Sequence, residues 1–316
     1  MRILLYRGDG IIEPWARDFA AELPHAETVV WEEGEGAAPC APCDYAVLWA
    51  PSPALLDWLA QTAGQLKAIF LMGAGVDALL KFGDALPPVP IVRLGDAGMA
   101  EQMAEYVAHA VLRYFRRFDD YDRQAREGIW RPLPVPAKRD FTVGVLGMGK
   151  LGVPVARTLR QLGFPVRGWS RTPKDVPGVE CCSGMDALDG FLAGTRVLVC
   201  LLPLTPDTSN LLDRARLSRL PEGAYLVNVA RGAQVAEPDL LALIRTGHIA
   251  GATLDVFRNE PLPAPHPFWG EPRITITPHI SALTLREEAV RQIAAKIKLL
   301  ESGETVADVV DRDRGY

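Results

Sequence analysis

Short apolar runs rich in β-branched residues alternate along this chain with stretches whose apolar residues recur at steps of three and four. In the first hundred residues, 2–6, 28–31, 45–49, 68–71 and 91–94 read as strands, and the stretches around 15–23, 54–60 and 76–81 read as helices. The alternation resumes at residue 141, with apolar runs at 141–146, 165–169, 197–202, 225–230, 251–256 and 274–277. Such order predicts parallel sheets with helices on both faces. The expected fold class is α/β, with two Rossmann-like, doubly wound domains.

Between the two series lies the longest helical pattern in the chain, from Gly98 to Gly128. Met99, Met103, Tyr106, Val107, Ala110, Val111, Tyr114, Phe115 and Phe118 fall on one broad apolar face. So wide a face calls for a large partner surface, which a second subunit would supply. His109, in the same stretch, reads as a packed core histidine. The segment WRPLPVP at 130–136 follows neither period and reads as a proline-stiffened linker into the strand at 141.

That strand runs directly into Gly147-Met148-Gly149-Lys150-Leu151-Gly152 and then a helical stretch. In a strand–turn–helix setting the first glycine permits the sharp turn, the second leaves room for a pyrophosphate and the third lets helix and strand pack closely. The helix start then attracts phosphate charge. Where an NAD site usually carries an acid for the ribose 2′-hydroxyl, the next strand ends in Ser170-Arg171-Thr172, with Lys174 nearby. Hydroxyls and cations there favour a 2′-phosphate, hence NADP(H) over NAD(H). The turn after residue 202 (Leu202, Pro203) is expected near the cofactor's ribose and nicotinamide. In the first half, Gly73-Ala74-Gly75-Val76 forms a second glycine-rich turn whose amides suit a small carboxylate.

With 316 residues there is room for two domains. A net charge of −5 gives no global attraction for nucleic acid or anionic membrane, so anionic ligands need local positive sites. The apolar run at the N-terminus is too short for a signal-peptide core, and a cytosolic location is expected. Cys40 and Cys43 have CxxC spacing, but no second pair or nearby His completes a metal site; they read as unpaired loop cysteines.

Three titratable side chains follow three successive strands of the second half: Arg231, Glu260 and His279. In open α/β sheets ligands bind at the carboxyl ends of strands. Together these groups suit hydride transfer to a keto acid. The Arg can bind the anion and polarise its carbonyl, the His can supply the proton, and the Glu can orient the imidazole.

With these motifs the chain resembles the D-isomer-specific 2-hydroxyacid dehydrogenase family. The likeness is carried by GMGKLG at 147–152, VNVARG at 227–232, LDVFRNEP at 254–261 and TPHISALT at 277–284. LMGAGVD, GMAEQMAEYV, GWSRT and the tail DRDRGY are similar to its glyoxylate/hydroxypyruvate reductase branch. The resemblance implies NADPH-dependent reduction of a small 2-keto acid. In it Arg231 binds the substrate, His279 is the acid/base and Glu260 its support. The amides of Ala74, Gly75 and Val76 hold the carboxylate, and Asp255 orients the nicotinamide carboxamide beside Ala230 and Ser281. It also implies a discontinuous substrate domain (1–104 and 284–316), a dinucleotide-binding domain (105–283) and a homodimer through the long helix.

Two departures from the family pattern stand out. Ser281-Ala282 replaces a common Gly-Gly pair, and Ser170-Arg171 replaces the ribose-binding Asp. Trp49, Leu71, Met72, Trp130 and Trp269 are candidate pocket walls favouring small substrates. Alternative readings are a non-catalytic dinucleotide-sensing scaffold, as in related co-repressors, or a dehydrogenase of another acid such as phosphite, formate or a bulky keto acid.

Overall fold

A strand that carries apolar side chains on both faces needs cover on both faces, and parallel sheets flanked by helices provide it. The computed structural model describes residues 1–32 and 41–316 and divides into two units, Met1–Gly98 with Thr284–Tyr316, and Met99–Leu283. The first opens with β1 (Arg2–Arg7), α1 (Glu13–Glu22), β2 (Glu27–Val30), β3 (Tyr45–Trp49), α2 (Pro53–Gln61), β4 (Ala68–Leu71), α3 (Asp77–Leu80) and β5 (Ile91–Val92). Its five strands are parallel in the order β2-β1-β3-β4-β5. Leu4, Leu48, Leu55, Leu59 and Ile69 are among the residues that close one face of this sheet.

The second unit begins with α4 (Met99–Phe115) and α5 (Phe118–Arg126). There follow β6 (Val143–Leu146), α6 (Gly152–Gln161), β7 (Val166–Ser170), β8 (Glu180–Ser183), α7 (Leu188–Ala193), β9 (Val197–Cys200), α8 (Arg214–Leu217), β10 (Ala224–Asn228), α9 (Glu237–Thr246), β11 (Ile249–Leu254) and β12 (Ile274–Ile276). The seven parallel strands run β12-β11-β10-β9-β6-β7-β8, so the winding direction reverses at β6. Every residue of β6, β9 and β10 is buried. Each fully buried Val or Leu contributes roughly 1.5–3 kcal/mol relative to exposure, which makes this sheet the rigid platform of the unit.

The closing helix, α10 (Arg286–Glu301), belongs to the first unit. It packs on α1, where Arg286 Nε meets Asp18 Oδ2 at 2.6 Å. At its other end Glu301 accepts from Tyr45 Oη at 2.8 Å and from Lys67 Nζ at 2.6 Å. The tail beyond it pairs Val309 antiparallel to Val92 at the sheet edge. The first unit is thus assembled from both ends of the chain.

Several expectations need correction. The single long helix is two: Arg117 adopts a left-handed conformation (φ 62°) between α4 and α5. Phe118 consequently leaves the apolar face and is exposed. His109 is exposed on α4, not packed in the core. Leu71 and Met72 are buried, at 5% and 0% exposure. The edge strand β8 and helices α7, α8 and α9 have no counterpart among the elements read from the sequence. Cys40 lies outside the described residues, while Cys43 is buried. Among the described residues no three His, Cys, Asp or Glu side chains group as a metal site would require, and no helix is long and apolar enough to cross a membrane.

Candidate active site

The reversal at β6 opens a crevice at the carboxyl ends of the strands, and the glycine fingerprint occupies it. Gly147 has φ +105°, and a Cβ there would stand 2.7 Å from the Leu201 carbonyl oxygen. At Gly152 a Cβ would fall 1.8 Å from the Gly147 carbonyl oxygen, so only glycine lets α6 start this close to β6. A Cβ at Gly149 would meet nothing within 4 Å, which leaves its backbone open to a large anionic group. Lys150 is exposed and Leu151 half-buried at the entry to α6. These features fit a pyrophosphate at a helix start.

At the end of β7, next to the fingerprint strand, Arg171, Thr172 and Lys174 are exposed. Ser170 is buried at 8% exposure, and its hydroxyl donates to the Thr172 carbonyl at 2.7 Å, which fixes the turn that presents them. β7 closes on Ser170 and Arg171 and Thr172 follow directly, so the strand ends in hydroxyls and a guanidinium, groups suited to a 2′-phosphate.

Three further strand ends carry the titratable set. Arg231 follows β10; its Nη1 donates to the Ala230 carbonyl at 2.7 Å. The adjacent Gly232 is indispensable to the packing, because a Cβ there would sit 1.9 Å from the Phe257 carbonyl carbon. That close approach brings the loop after β11 against the Arg231 loop. Glu260 lies on the β11 loop and His279 after β12; Glu260 Oε2 and His279 Nδ1 are 2.8 Å apart. Burial acts to raise the Glu260 pKa. Hydrogen bonds from His279 and the Phe257 amide, and the charges of His279 and Arg231, outweigh it and hold the carboxyl below its usual 4.5.

His279 itself has φ 56°, a left-handed conformation that is costly for any residue but glycine. Asp255 supplies what holds it there. Its carbonyl accepts from the His279 amide at 2.9 Å, and its carboxylate accepts from the Ile280 amide, the Ser281 amide and Thr277 Oγ1 at 2.8, 2.8 and 2.6 Å. Asp255 is wholly buried, so in this structure its charge is turned onto its own loop. The chain of contacts continues from Thr277 Oγ1 to Tyr106 Oη on α4, 2.5 Å away.

In the first unit, the turn after β4 places Ala74, Gly75 and Val76 at its crest. Among the described residues nothing accepts a hydrogen bond from their N–H groups. Trp49, at the end of β3, lies over this turn: a Cβ on Gly73 would be 2.5 Å from its Cζ3. The Arg7 guanidinium stacks near Trp49 and Trp15, with 5.6 and 5.2 Å to the ring centroids, and pairs with Asp9. Trp130 is wholly exposed and Trp269 largely so.

The structure therefore joins Glu260 and His279 directly and sets Arg231 where its charge acts on Glu260. Four residues of this site escaped the sequence reading: Asn228, Gln234, Thr277 and Tyr106. For Gln234 a signal existed, since a Gln three positions into a helix start can reach back to the preceding backbone: its Oε1 accepts from the Arg231 amide, and its own backbone amide donates to the Arg231 carbonyl at 3.3 Å.

A fingerprint turn at the switch point of a seven-stranded sheet, with an acid–imidazole pair beyond the neighbouring strands, defines the class: a dinucleotide-binding oxidoreductase. A family model for the D-isomer specific 2-hydroxyacid dehydrogenase NAD-binding domain matches residues 108–281. The chain belongs to the D-isomer specific 2-hydroxyacid dehydrogenase family, and it is a dehydrogenase of that type. It is 46% identical to the glyoxylate/hydroxypyruvate reductase A of Serratia proteamaculans, with all of both chains covered. A solved family member from Xanthobacter autotrophicus Py2, in complex with NADPH and MES, is 41% identical with a TM-score of 0.94; 100% of this chain and 99% of that one are covered. The NADPH-dependent glyoxylate/hydroxypyruvate reductase of Sinorhizobium meliloti, in complex with NADP and sulfate, is 34% identical with a TM-score of 0.91 and the same coverage.

Proposed function

We propose that this protein reduces a small 2-keto acid, glyoxylate or hydroxypyruvate, to the 2-hydroxy acid with NADPH. The observation that carries the reading is the Glu260–His279 pair beside Arg231, within a unit that also holds the fingerprint turn. The names of the relatives and the NADPH and NADP in the solved neighbours support it. Gly147, Gly149, Lys150, Leu151 and Gly152 receive the pyrophosphate. Ser170, Arg171, Thr172 and Lys174 receive the 2′-phosphate. Leu202, Pro203, Ala230, Asp255 and Ser281 frame the nicotinamide end.

Bound NADPH supplies the hydride that reduces C2 of the keto acid. Arg231 binds the substrate anion and stabilises the negative charge that grows on the carbonyl oxygen. The His279 imidazolium gives its Nε2 proton to that oxygen and is left neutral with its remaining proton on Nδ1, while Glu260, accepting from Nδ1–H, orients the ring and favours the charged form that donates. In the first unit, the amides of Ala74, Gly75 and Val76 are the groups suited to a carboxylate, and Trp49 is the wall that limits the group beyond it. The exposed apolar residues Phe118, Ile129, Trp130 and Val135 suit a homodimer formed around α4, α5 and the proline-rich segment. Initial rates with several 2-keto acids, each with NADPH and NADH, test the function. Turnover of glyoxylate or hydroxypyruvate with NADPH is expected. Cofactor binding without oxidation by any 2-keto acid would favour the scaffold reading instead.

A further inference from the structure

We propose that Gln234 is a positioning residue that locks the substrate arginine to the turn lying along the cofactor; this rests on the roles given above to Arg231 and to Leu202 and Pro203. The Gln234 side chain is wholly buried, and both ends of its amide are occupied. Oε1 accepts from the Arg231 amide at 3.2 Å and from Cys200 Sγ at 3.3 Å. Nε2 donates to the Leu202 carbonyl at 2.8 Å and to the Pro203 carbonyl at 3.0 Å. Asn228 holds the other side of the same residue, its Nδ2 donating to the Arg231 carbonyl at 3.1 Å. The Asn228 side-chain bonds stay within the β10 loop, whereas the Gln234 side chain crosses from that loop to the end of β9.

The chemistry of the crossing requires an amide. Two carbonyl oxygens on one side need two N–H donors, and an N–H and an S–H on the other need an acceptor; a carboxylate has no donor and a hydrocarbon has neither. Since the site is buried, a missing partner cannot be replaced by solvent, and the groups left behind would shift to find one. The groups free to move are the Arg231 peptide and the Leu202–Pro203 turn, so substrate and cofactor contacts would loosen together. The titratable groups touching Gln234 are Cys200, whose burial pushes its thiol up to about 12, and Arg231.

The test compares wild type with Gln234→Met and Gln234→Glu, measuring kcat and KM for hydroxypyruvate and NADPH across the pH range. For Gln234→Met, of similar length but without polar atoms, both KM values should rise by roughly tenfold, with a fall in kcat. Gln234→Glu adds a signature that mere destabilisation would not give. A neutral carboxylic acid still donates to one carbonyl, but a carboxylate faces both with none to give. Its kcat/KM relative to wild type should therefore be highest at acid pH, above the Met variant, and fall towards the Met level as pH rises, with no such limb in the Met variant. Kinetics of Gln234→Met equal to wild type, or a Gln234→Glu profile parallel to wild type at every pH, would overturn the proposal. If Gln234→Met does not fold, the Glu profile decides alone. A wild type that turns over no 2-keto acid removes the proposal along with the function it rests on, and its own missing turnover tells that failure from the other.

Discussion

Oε2 of Glu260 stands 2.8 Å from Nδ1 of His279, while Oε1 of the same carboxylate accepts from the Phe257 amide at 2.8 Å. The acid is pinned by its own loop, so the imidazole is oriented by a partner that is itself fixed. His279→Ala should lower kcat by about 10²- to 10⁴-fold, the range of a positioned general acid. NADPH affinity, read by fluorescence titration, should change little. Undiminished turnover in that variant would take His279 out of the proton transfer.

The Glu260 carboxyl lies below its ordinary 4.5 in the folded protein. A depressed folded value means the stabilising charge is fully present above the unfolded pKa and is lost only as pH falls through the lower folded one. The melting temperature of wild type should exceed that of Glu260→Gln just above the ordinary carboxylate range, and the margin should shrink as pH falls through it. Melting curves over an acid pH series provide the check; a margin that widened with acid would contradict the assignment.

Arg171 stands exposed directly after β7, the strand beside the fingerprint strand. Arg171→Ala should raise KM for NADPH by roughly tenfold, the weight of a hydrogen bond to a charged group, and leave KM for NADH unaltered. Equal effects on both cofactors would place the 2′-phosphate elsewhere.

Trp49 occupies the space a side chain at Gly73 would need. Trp49→Ala should shift the kcat/KM ratio of a bulkier 2-keto acid over glyoxylate upwards by roughly tenfold, as an opened pocket wall does. Gly73→Ala, which forces the indole aside, should disturb glyoxylate turnover as well. A size preference unmoved by either change would relieve Trp49 of its role.

Most of this fold was legible because its central strands are buried on both faces and so carry unbroken apolar runs; β6, β9 and β10 are examples. The edge strand β8 has no such run. Its Glu180-Cys181-Cys182-Ser183 is only partly covered, and pairing with β7, not patterning, makes it a strand. The break in the long helix had a local signal that the apolar period masked. Asp119 and Asp120 sit in the first turn of α5, and Arg117 and Arg113 reach them. The titratable residues of the site could be found from strand ends, since the topology brings successive carboxyl ends to one edge. The parts that hold them could not. Thr277 meets the side chains of Asp255 and Tyr106, and Gln234 the carbonyls of Leu202 and Pro203, all distant in sequence, and no periodicity encodes such meetings.

The first unit needs α10 and the strand-like tail at Val309, which are made after the whole of the second unit. Synthesis therefore completes the dinucleotide fingerprint's unit while the earlier-made sheet still has α1 uncovered and the β5 edge unpaired. A ribosome-held chain ending at Leu283 should show a protease-resistant core beginning near Met99 and a cleavable amino-terminal half, and the same half should become resistant once the remaining residues emerge.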